Sequence, residues 1–263
     1  MITVLGAGGF IGSHIIQLLQ RNTIDHYSPS RNEVLEGKEL GDIIYCIGLT
    51  ADFRSKPFET VNAHVGKLAQ VLENCRFNSL TYLSSARLYI NCPEKMVDEN
   101  AMIHVDPNDP EELYTLTKLT GERLCLSSGR NCKVVRLSNV IGAYQDRGVF
   151  LSQVISTIKE KGNIMLEQAL SSAKDYIGIN EVAPLLVKMS REGQAGIYNI
   201  ASGINTTHQE LLEELKRYFK FSYSVKEDAP KVVFPLISNK KICETFGFKP
   251  RAFSEQLPLI LEK

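Results

Sequence analysis

The segment Ile2-Thr-Val-Leu-Gly6-Ala-Gly-Gly9-Phe-Ile-Gly12 decides the fold of this chain. Ile2–Leu5 is an uninterrupted apolar run that predicts a short buried strand, and Phe10–Gln20 has the apolar spacing of a helix. Gly6, Gly9 and Gly12, in the turn and the first turn of the helix, have the spacing GxxGxxG. A strand, a glycine turn and a helix in this order predict the opening unit of a doubly wound, parallel α/β sheet.

Each of the three glycines has a separate physical task. Gly6 allows a tight turn after the strand, Gly9 lets the backbone approach a pyrophosphate closely, and Gly12 lets the helix pack against the sheet. The first turn of the helix, with Phe10 and Ile11, presents unpaired N–H groups that bind phosphate oxygens. The loop therefore predicts a dinucleotide-binding site, with a purely structural turn as the alternative.

The remainder of the chain continues the alternation of strands and helices. Apolar runs predict five further strands, at His26–Pro29, Asp42–Ile47, Ser79–Ser84, Lys133–Leu137 and Gly196–Ile200. Helical patterns are found at Pro57–Asn74, Pro110–Ser127 and Gly148–Lys161. This alternation predicts a parallel Rossmann sheet that is covered on both faces. Only Ser30–Gly41 connects the second strand to the third, so we expect that crossover helix to be short or absent.

The pattern becomes less regular in the second half of the chain. Two more helices are predicted there, at Thr207–Phe219 and Ser238–Phe246. We predict that residues 1–147 form the Rossmann cofactor-binding domain, and that 174–203 return to its sheet. Residues 148–173 and 204–263 are predicted to form a smaller, interleaved C-terminal lobe that binds the substrate.

The overall charge excludes some classes of partner. Lysine plus arginine total 30 and aspartate plus glutamate total 30, so the formal net charge is +0. A chain without a global field has no general attraction for nucleic acid or for an anionic membrane surface. Met1 leads directly into the first strand, and no later apolar run is long enough to span a bilayer. We therefore expect a cytoplasmic protein that binds neither nucleic acid nor a membrane.

The cysteines and histidines show no metal-binding pattern. The six cysteines are scattered without a CxxC pair, so we expect reduced structural thiols rather than disulfides. The five histidines lack the spacing of a metal site, and His14 is interpreted as a packed or capping residue of the first helix. No metal site is predicted.

The end of the second strand bears on which cofactor is bound. An acidic residue there would hold the ribose hydroxyls of NAD, but no carboxylate follows where the strand should end. Arg31, with Ser28 and Ser30 nearby, could instead hold the 2′-phosphate of NADP by charge-assisted hydrogen bonds. We therefore favour NADP, in its reduced form NADPH. If Arg31 is only a solvated loop residue, the cofactor is NAD.

Tyr114 and Lys118 are one helical turn apart and therefore share one face of a predicted helix. A phenol with the ordinary pKa of about 10 is a poor base at neutral pH, but a neighbouring ammonium group lowers that pKa. Ser85 ends a buried strand at the sheet edge where the cofactor crevice is expected, and its hydroxyl could bind the substrate oxygen. These three residues predict a catalytic site for hydride transfer, in which Tyr114 and Lys118 also contact the nicotinamide cofactor.

The glycine loop, the strand-end serines and the Tyr-x-x-x-Lys pair together resemble the extended short-chain dehydrogenase/reductase family, specifically its nucleotide-sugar branch. Most of the chain takes part in this resemblance. Three further segments are similar to segments of that branch: Arg136-Leu-Ser-Asn139-Val-Ile-Gly142, Lys174-Asp-Tyr-Ile177 and Gly196-Ile-Tyr-Asn-Ile-Ala-Ser-Gly203. The asparagine of the first segment contacts the nucleotide-sugar substrate in the family, which implies the same role for Asn139. The family's catalytic hydroxyl stands four residues before a tyrosine that corresponds to Tyr89, which implies Ser85.

Two departures from the family narrow the reaction. The sugar 4,6-dehydratases of this branch place Asp-Glu directly after the catalytic hydroxyl, and the bifunctional epimerase-reductases place a catalytic cysteine at the second of these positions. Ala86 and Arg87 occupy the two positions here. The resemblance therefore disfavours dehydration and C3/C5 epimerisation, and leaves a 4-ketoreductase or a 4-epimerase that retains its cofactor.

The cofactor argument separates these two reactions. An epimerase recycles a tightly held NAD, whereas a reductase must exchange its reduced cofactor, so Arg31 favours the reductase. We predict a 4-ketoreductase of a nucleotide-linked 4-keto-6-deoxy sugar. An NAD-dependent nucleotide-sugar 4-epimerase is the alternative, and a non-catalytic NAD(P)-binding regulator or scaffold is the alternative from a different class.

Two further expectations concern substrate binding and assembly. Asn139, Lys174 and Arg147 are candidates for binding the substrate diphosphate, and only Asn139 rests on a motif match. In the family, the helices that correspond to Val61–Leu72 and Leu113–Leu126 pair across a two-fold axis. The resemblance therefore implies a homodimer.

Overall fold

The computed structural model describes residues 1–50, 52–142 and 150–261. Its strands are β1 (Ile2–Leu5), β2 (His26–Tyr27), β3 (Asp42–Tyr45), β4 (Ser79–Ser85), β5 (Met96–Val97), β6 (Cys132–Leu137), β7 (Asn139–Ile141), β8 (Asn163–Leu166), β9 (Ala173–Gly178), β10 (Gly196–Ile200), β11 (Asn205–Thr207), β12 (Ser222–Val225) and β13 (Leu236–Ile237). Its α-helices are α1 (Phe10–Arg21), α2 (Pro57–Val61), α3 (Lys67–Asn74), α4 (Glu112–Ser127), α5 (Phe150–Lys161), α6 (Ile179–Glu192), α7 (His208–Lys216), α8 (Lys240–Phe246) and α9 (Phe253–Leu261). A π-helical turn, Asn62–Gly66, joins α2 to α3, and 3₁₀ turns lie at Asp52–Arg54 and Ala86–Tyr89.

Six strands form one parallel sheet in the order β10-β6-β4-β3-β1-β2. The predicted doubly wound, parallel fold is therefore confirmed. The chain moves outward from β1 in both directions, to β2 on one side and to β3 and β4 on the other. Such a reversal of strand order opens a crevice at the carboxyl ends of the strands. The glycine loop after β1 lies at this crevice.

Helices cover both faces of the sheet, which explains why β1, β4 and β6 are buried along nearly their whole length. Helices α1 and α6 pack on one face and bury residues such as Ile15 and Leu186 against β1 and β6. Helices α3 and α4 pack on the other face, where Leu68 and Cys125 meet β3 and β4. Burying an aliphatic side chain of this kind stabilises the fold by about 1.5–3 kcal/mol.

The rest of the chain forms smaller layers beside the main sheet. Strands β11, β9 and β7 form a three-stranded sheet, β12 pairs with β8, and β13 pairs with β5. A separate apolar cluster joins α5, α7 and α9 through Leu151, Leu211 and Leu257. This cluster lies in the segments predicted to bind the substrate. Helix α8 lies in the same predicted segment, but its Ile242 packs into the core of the main sheet.

The division into two units stays a prediction, and two features qualify its boundaries. The boundary at residue 147 falls within 143–149, outside the described residues. Strand β9 was expected to return to the main sheet with residues 174–203, but it pairs with β7 and β11, and only β10 joins β6.

Several elements differ from the sequence-based prediction. Strands β2 and β3 end at Tyr27 and Tyr45, earlier than expected, and no helix interrupts the fully described stretch 28–41. Helix α6 was not predicted, because Pro184 lies inside it and proline normally breaks a helical pattern. Helix α9 was missed for the same reason, since it contains Pro258.

The six cysteines are free thiols, as predicted. None of the described helices combines the length and the apolar composition that crossing a membrane would require.

Candidate active site

The glycine loop between β1 and α1 has the backbone that the sequence predicted. Gly6 has a φ of +89°, and a Cβ there would lie 2.8 Å from the carbonyl carbon of Cys46. A Cβ on Gly12 would collide with the Gly6 carbonyl oxygen, so α1 approaches the loop too closely for any side chain. Gly9 caps α1 and donates its N–H to the Gly6 carbonyl at 3.1 Å. The loop can therefore adopt this backbone only because Gly6 and Gly12 carry no side chains.

A cleft of about 1230 Å³ opens from this loop. Its walls are the ends of β1 and β3, the loop after β2, one side of α2 and the π-helical turn, and the whole length of α3. The cleft is lined by the glycine loop up to Gly9, the residue before α1, and the predicted contacts Phe10, Ile11 and Gly12 follow in the first turn of that helix, where N–H groups lack helical partners. Among the residues predicted for the cofactor phosphate, Ser30 and Arg31 line the cleft and Ser28 does not.

Three glutamates, Glu33, Glu36 and Glu59, also line this cleft. Glu33 accepts hydrogen bonds from Tyr27 Oη, from Lys38 Nζ at 2.6 Å and from the N–H of Ser30 at 3.0 Å. The hydrogen bond from Lys38, followed by that from Tyr27, lowers the pKa of Glu33 to about 2. The carboxylate is thus already paired with a cation of the same loop.

Lys67, at the start of α3, was missed by the sequence argument. Its Nζ donates to the carbonyl oxygen of Arg31 at 3.3 Å, and both residues line the cleft. The two are 36 residues apart in the chain, and only the folded sheet brings them together. The cleft therefore carries two cations where the sequence indicated one.

Tyr114 is buried on α4 with 5% of its surface exposed. Its ring contacts that of Phe53 at a centroid distance of 5.4 Å and that of His64 at 5.4 Å. Burial raises the pKa of Tyr114, while the hydroxyls of Ser85 and Thr50 and the charge of Arg87 lower it. The net direction is upward, so the phenol is protonated at neutral pH.

Ser85 stands at the end of β4, beside this phenol. Its Oγ accepts the backbone N–H of Arg87 at 3.1 Å and thereby caps the short 3₁₀ turn that follows. The hydroxyl also interacts with that of Tyr114. The structure thus brings Ser85 and Tyr114 together, at the carboxyl edge of the sheet where the sequence argument placed them.

Lys118 lies one turn after Tyr114 and is equally buried. Its Nζ donates to the Leu83 carbonyl at 2.8 Å and lies 5.9 Å from the centre of the Tyr114 ring. Burial lowers the pKa of Lys118 to about 7, and the nearby Glu122 opposes this effect. We expected Lys118 to lower the pKa of Tyr114. In this structure Arg87 is the cation that does so, because the Lys118 ammonium is directed at the strand.

The sequence argument also missed His64, which the π-helical turn carries into the site. Its Nε2 accepts the N–H of Leu49 at 3.3 Å, so the proton resides on Nδ1, which lies 2.9 Å from Thr117 Oγ1. Thr117 in turn donates to the carbonyl of Tyr114 at 3.0 Å. Burial, with help from the charge of Lys118, lowers the pKa of His64 to about 2. This neutral imidazole therefore links the loop after β3 to α4 by hydrogen bonds.

Two buried histidines should make the stability of the fold depend on pH. Burial also lowers the pKa of His208, to about 4. The unfolded chain takes up a proton on each ring near pH 6.5, whereas the folded chain does so only at lower pH. Lowering the pH from 7.5 to 5 should therefore reduce the free energy of unfolding by ~2 kcal/mol for each histidine.

Urea unfolding at several pH values measures this effect. His64→Gln should remove the part of the pH dependence of the free energy of unfolding that His64 contributes. The same change at the exposed His104 should leave this pH dependence unaltered. An identical slope in wild type and His64→Gln would show that His64 is not held neutral.

The predicted substrate-binding residues lie at the same edge of the sheet. Ser85 and Leu137 are in register on β4 and β6, and Asn139 follows two residues later at the start of β7. The amide nitrogen of Asn139 donates to the Asp175 carbonyl on β9 at 2.8 Å. Lys174 on β9 lies 4.9 Å above the ring of Phe150. Arg147, the third candidate, lies outside the described residues.

A buried ion pair between Glu122 and Arg136 joins α4 to β6. Glu122 accepts Arg136 Nη2 at 2.7 Å, Arg136 Nε at 3.0 Å and Ser84 Oγ at 2.5 Å. Arg136 also donates to Tyr89 Oη at 2.9 Å, and Tyr89 donates to Asn199 Oδ1 at 2.8 Å. The network connects the helix of Tyr114 and Lys118 to three strands of the sheet.

Across the three described stretches, no group of three or more histidine, cysteine, aspartate or glutamate side chains is arranged to hold a metal ion.

The fold resembles solved structures over nearly its whole length. MoeE5 in complex with UDP-glucose and NAD has a TM-score of 0.84 at 18% identity, with 99% of this chain and 97% of that chain covered. RMD from Pseudomonas aeruginosa complexed with NADPH has a TM-score of 0.79 at 19% identity, with 100% and 99% covered. These likenesses establish the same fold.

The sequence comparisons agree with the fold. A Methanocaldococcus jannaschii protein, provisionally assigned as a UDP-glucose 4-epimerase, is 24% identical, with 95% of this chain and 93% of that protein covered. Residues 28–201 match the NAD dependent epimerase/dehydratase family. The resemblance found in the sequence and the prediction of an NAD(P)-dependent enzyme are thereby confirmed. The chain belongs to the NAD dependent epimerase/dehydratase family.

Proposed function

We propose that this protein is an NADPH-dependent 4-ketoreductase of a nucleotide-linked 4-keto-6-deoxy sugar. The observation that carries the proposal is the protonated phenol of Tyr114, which is buried beside Ser85. A protonated acid is what reduction of a ketone requires, because the oxygen must gain a proton as the carbon gains a hydride. The absence of Asp-Glu after Ser85 supports reduction over dehydration.

The proposed roles divide the reaction among three side chains. NADPH, when bound, supplies the hydride. Ser85 positions the substrate carbonyl by a hydrogen bond, and Tyr114 gives its proton to the oxygen. Lys118 orients the ribose beside the nicotinamide. Asn139 and Lys174 are proposed to bind the nucleotide-sugar substrate, the former by its amide and the latter by its charge.

The preference for NADPH rests on the charges along the cleft. Arg31 and Lys67 line the region beyond β2, and Glu33, one of the three glutamates that line the cleft, is paired with Lys38. A 2′-phosphate beside Arg31 would therefore be near two cations, although Glu36 and Glu59 also line the cleft. The NADPH complex of the structurally similar RMD is consistent with this preference, and the NAD complex of MoeE5 with the alternative.

Replacing Arg31 by alanine should raise the KM for NADPH at least about tenfold, because a charge-assisted contact to the phosphate is lost. The KM for NADH should change by less than about twofold. Steady-state rates with both cofactors measure this, with Arg21→Ala, an exposed arginine at the end of α1, as the control. Equal effects on both cofactors would contradict a 2′-phosphate site at Arg31.

An NAD-dependent nucleotide-sugar 4-epimerase is the second candidate. The M. jannaschii relative carries the name of such an enzyme, and the same Ser–Tyr–Lys arrangement serves both reactions. The alternative from a different class is a non-catalytic NAD(P)-binding regulator or scaffold. Retention of Ser85, Tyr114 and Lys118 at one buried site supports an enzyme.

The first experiment follows NADPH oxidation with a panel of nucleotide-linked 4-keto-6-deoxy sugars. Stoichiometric oxidation would establish the reductase. Interconversion of C4 epimers by protein with bound NAD, without net oxidation, would instead establish the epimerase. Cofactor binding without NADPH oxidation and without epimer interconversion would instead support the non-catalytic regulator or scaffold.

We also propose a homodimer, formed through the helices that precede and contain the Tyr–Lys pair. Phe58 on α2 is 85% exposed, and Val61 and Leu116 on α2 and α4 are also exposed, so an apolar face is available there. Light scattering should give twice the mass of the chain, and Phe58→Glu should shift it toward the monomer. A monomeric wild type at micromolar concentration would refute this assembly.

A cytoplasmic location is part of the same proposal. The six free cysteines support it, because thiols stay reduced in that compartment. Recovery of the protein in a non-cytoplasmic fraction of its source cells would refute it.

A further inference from the structure

His64 contacts Tyr114 but has no role in the mechanism above. The imidazole is fully buried and stands edge-on to the phenol ring, with 5.4 Å between the ring centroids and 88° between the planes. Both ring nitrogens are used: Nε2 accepts the N–H of Leu49 at 3.3 Å, and Nδ1 donates to Thr117 Oγ1 at 2.9 Å. His64 is therefore bound at the same time to the loop after β3 and to α4.

The backbone around His64 is fixed as closely as its side chain. Two buried phenols donate to carbonyls of the π-helical turn, Tyr45 to that of Ala63 at 2.7 Å and Tyr82 to that of His64 at 3.3 Å. Gly121 lets α4 approach the turn, because a Cβ there would lie 2.9 Å from the His64 carbonyl oxygen. Turns of the π type are rare and are frequently found at functional sites. Strands β3 and β4 and helix α4 thus hold this turn in one position.

The contacts of His64 reach Tyr114 by two routes. On α4, Thr117 Oγ1 accepts the proton of Nδ1 and donates its own to the Tyr114 carbonyl at 3.0 Å. On the loop, Leu49 is followed by Thr50, whose hydroxyl is hydrogen-bonded to that of Tyr114. The two routes close a ring of contacts that includes both the backbone and the hydroxyl of Tyr114.

The loop that His64 holds is also a wall of the cofactor cleft, which Gly48 and Leu49 line. A Cβ on Gly48 would lie 3.2 Å from His64 Nε2 and 3.4 Å from Lys118 Nζ. The loop backbone therefore lies directly against both nitrogens. A displacement of this loop would change the cleft and the surroundings of the Tyr–Lys pair together.

We propose that His64 is a positioning residue, which aligns the Tyr114 phenol with Ser85 and holds the loop after β3 in the shape that binds the cofactor. The inference rests on the proposed function, because it takes Tyr114 to be the proton donor. In this role His64 transfers no proton. It supplies an acceptor to the loop and a donor to α4, and misplacing a reacting group by about 1 Å can cost a factor of about 100 in rate.

Two amide variants separate the two hydrogen bonds of His64. Glutamine places its amide oxygen near the position of Nε2, so His64→Gln keeps the bond from Leu49 and loses the bond to Thr117. It should lower kcat by about fivefold to thirtyfold and leave the affinity for the reduced cofactor within about twofold of wild type. Asparagine places its amide nitrogen near Nδ1, so His64→Asn keeps the bond to Thr117 and loses the bond from Leu49. It should weaken cofactor binding by about threefold to tenfold and lower kcat less than His64→Gln does.

Fluorescence titration gives the affinity for NADPH or NADH, whichever the wild type binds more tightly, and single-turnover rates give the chemical step. Thr117→Val removes the bridge from His64 to the Tyr114 carbonyl and should reproduce the fall in kcat of His64→Gln. The matched control is Ser190→Ala on α6. It removes another buried hydroxyl that donates to a helix carbonyl three residues earlier, that of Val187 at 2.9 Å. It should change neither quantity by more than about twofold.

A double-mutant cycle distinguishes positioning from a general loss of structure. In protein that already carries Tyr114→Phe, His64→Gln should change the residual rate by less than about twofold, because no phenol remains to be aligned. A merely structural defect would lower the rate by the same factor with and without the phenol. Such additivity would overturn the proposal, and so would variants that lose melting temperature while kcat and cofactor affinity stay at the wild-type values.

The proposal and the reductase assignment can fail separately. Interconversion of C4 epimers by the wild type would refute the reductase, and the same cycle is then measured on the rate of epimerisation. If the wild type converts no sugar nucleotide, the cofactor affinities decide. Weaker binding by His64→Asn and not by His64→Gln would support the role of His64, whereas affinities of both variants within about twofold of wild type would overturn it.

Discussion

Tyr114→Phe should lower turnover by about 10²–10⁴-fold, which is the contribution that a positioned general acid makes. The phenol is a buried proton donor beside Ser85, and phenylalanine removes only its hydroxyl. The ring would still pack between Phe53 and His64, so the fold and the affinity for NADPH should be nearly unchanged. The expected signature is therefore a fall in kcat with little change in the cofactor KM.

Tyr198→Phe is the matched control, because Tyr198 is also buried and its hydroxyl donates to the Gln194 carbonyl at 3.0 Å, away from the cleft. It should retain full turnover. Single-turnover rates with saturating NADPH measure both variants. Near-normal turnover of Tyr114→Phe would remove Tyr114 from the reaction and with it the proposed mechanism.

The largest effect on stability is expected from the buried pair of Glu122 and Arg136. Glu122→Gln should reduce the free energy of unfolding by about 3–5 kcal/mol, because it leaves the Arg136 charge buried and uncompensated. The side chains of the pair are only 4% and 5% exposed, so water cannot replace the lost carboxylate. Urea unfolding followed by circular dichroism gives the change.

An exposed ion pair provides the comparison. Glu39→Gln breaks a pair with Arg76 in which both side chains are 72% exposed, and it should change stability by about 0–1 kcal/mol. A double variant, Glu122→Leu with Arg136→Leu, should recover much of the loss, because no unpaired charge remains. A loss below about 1 kcal/mol for Glu122→Gln would mean that the pair is not buried as described.

The parts of the fold that could be predicted are those with a strong local pattern. The apolar runs identified the six strands of the main sheet, and the spacing of Gly6, Gly9 and Gly12 placed its crevice. Helix α6 was not predicted, because Pro184 contradicts a helical pattern. The helix forms nevertheless, because its apolar face packs into the core of the main sheet. Six of the seven described strands outside the main sheet were not predicted, because two to four residues carry too little pattern.

The site could be predicted in part, for a related reason. Ser85, Tyr114 and Lys118 stand in recognisable local motifs, and the structure brings them to one edge of the sheet. The surroundings of these residues come from distant segments. Lys67, His64 and Glu111 have no local signal, because their partners are between 15 and 57 residues away.

The direction of the Tyr114 pKa shows the same limit. The Tyr-x-x-x-Lys spacing suggested that Lys118 would lower the pKa of Tyr114. The spacing gives no information on how deeply Tyr114 is buried. Only the folded structure shows the Lys118 ammonium bound to the Leu83 carbonyl and the phenol enclosed by two aromatic rings.

The π-helical turn Asn62–Gly66 makes the number of residues in this helix as important as their chemistry. A π turn accommodates one more residue than an α-helical turn, and each residue of an α-helix advances its direction by about 100°. Deleting any one residue between α2 and α3 would therefore rotate α2 relative to α3. His64 would leave the Tyr114 ring even though every side chain that contacts it remained encoded. Insertions and deletions, rather than substitutions, are the changes to which this segment is most sensitive.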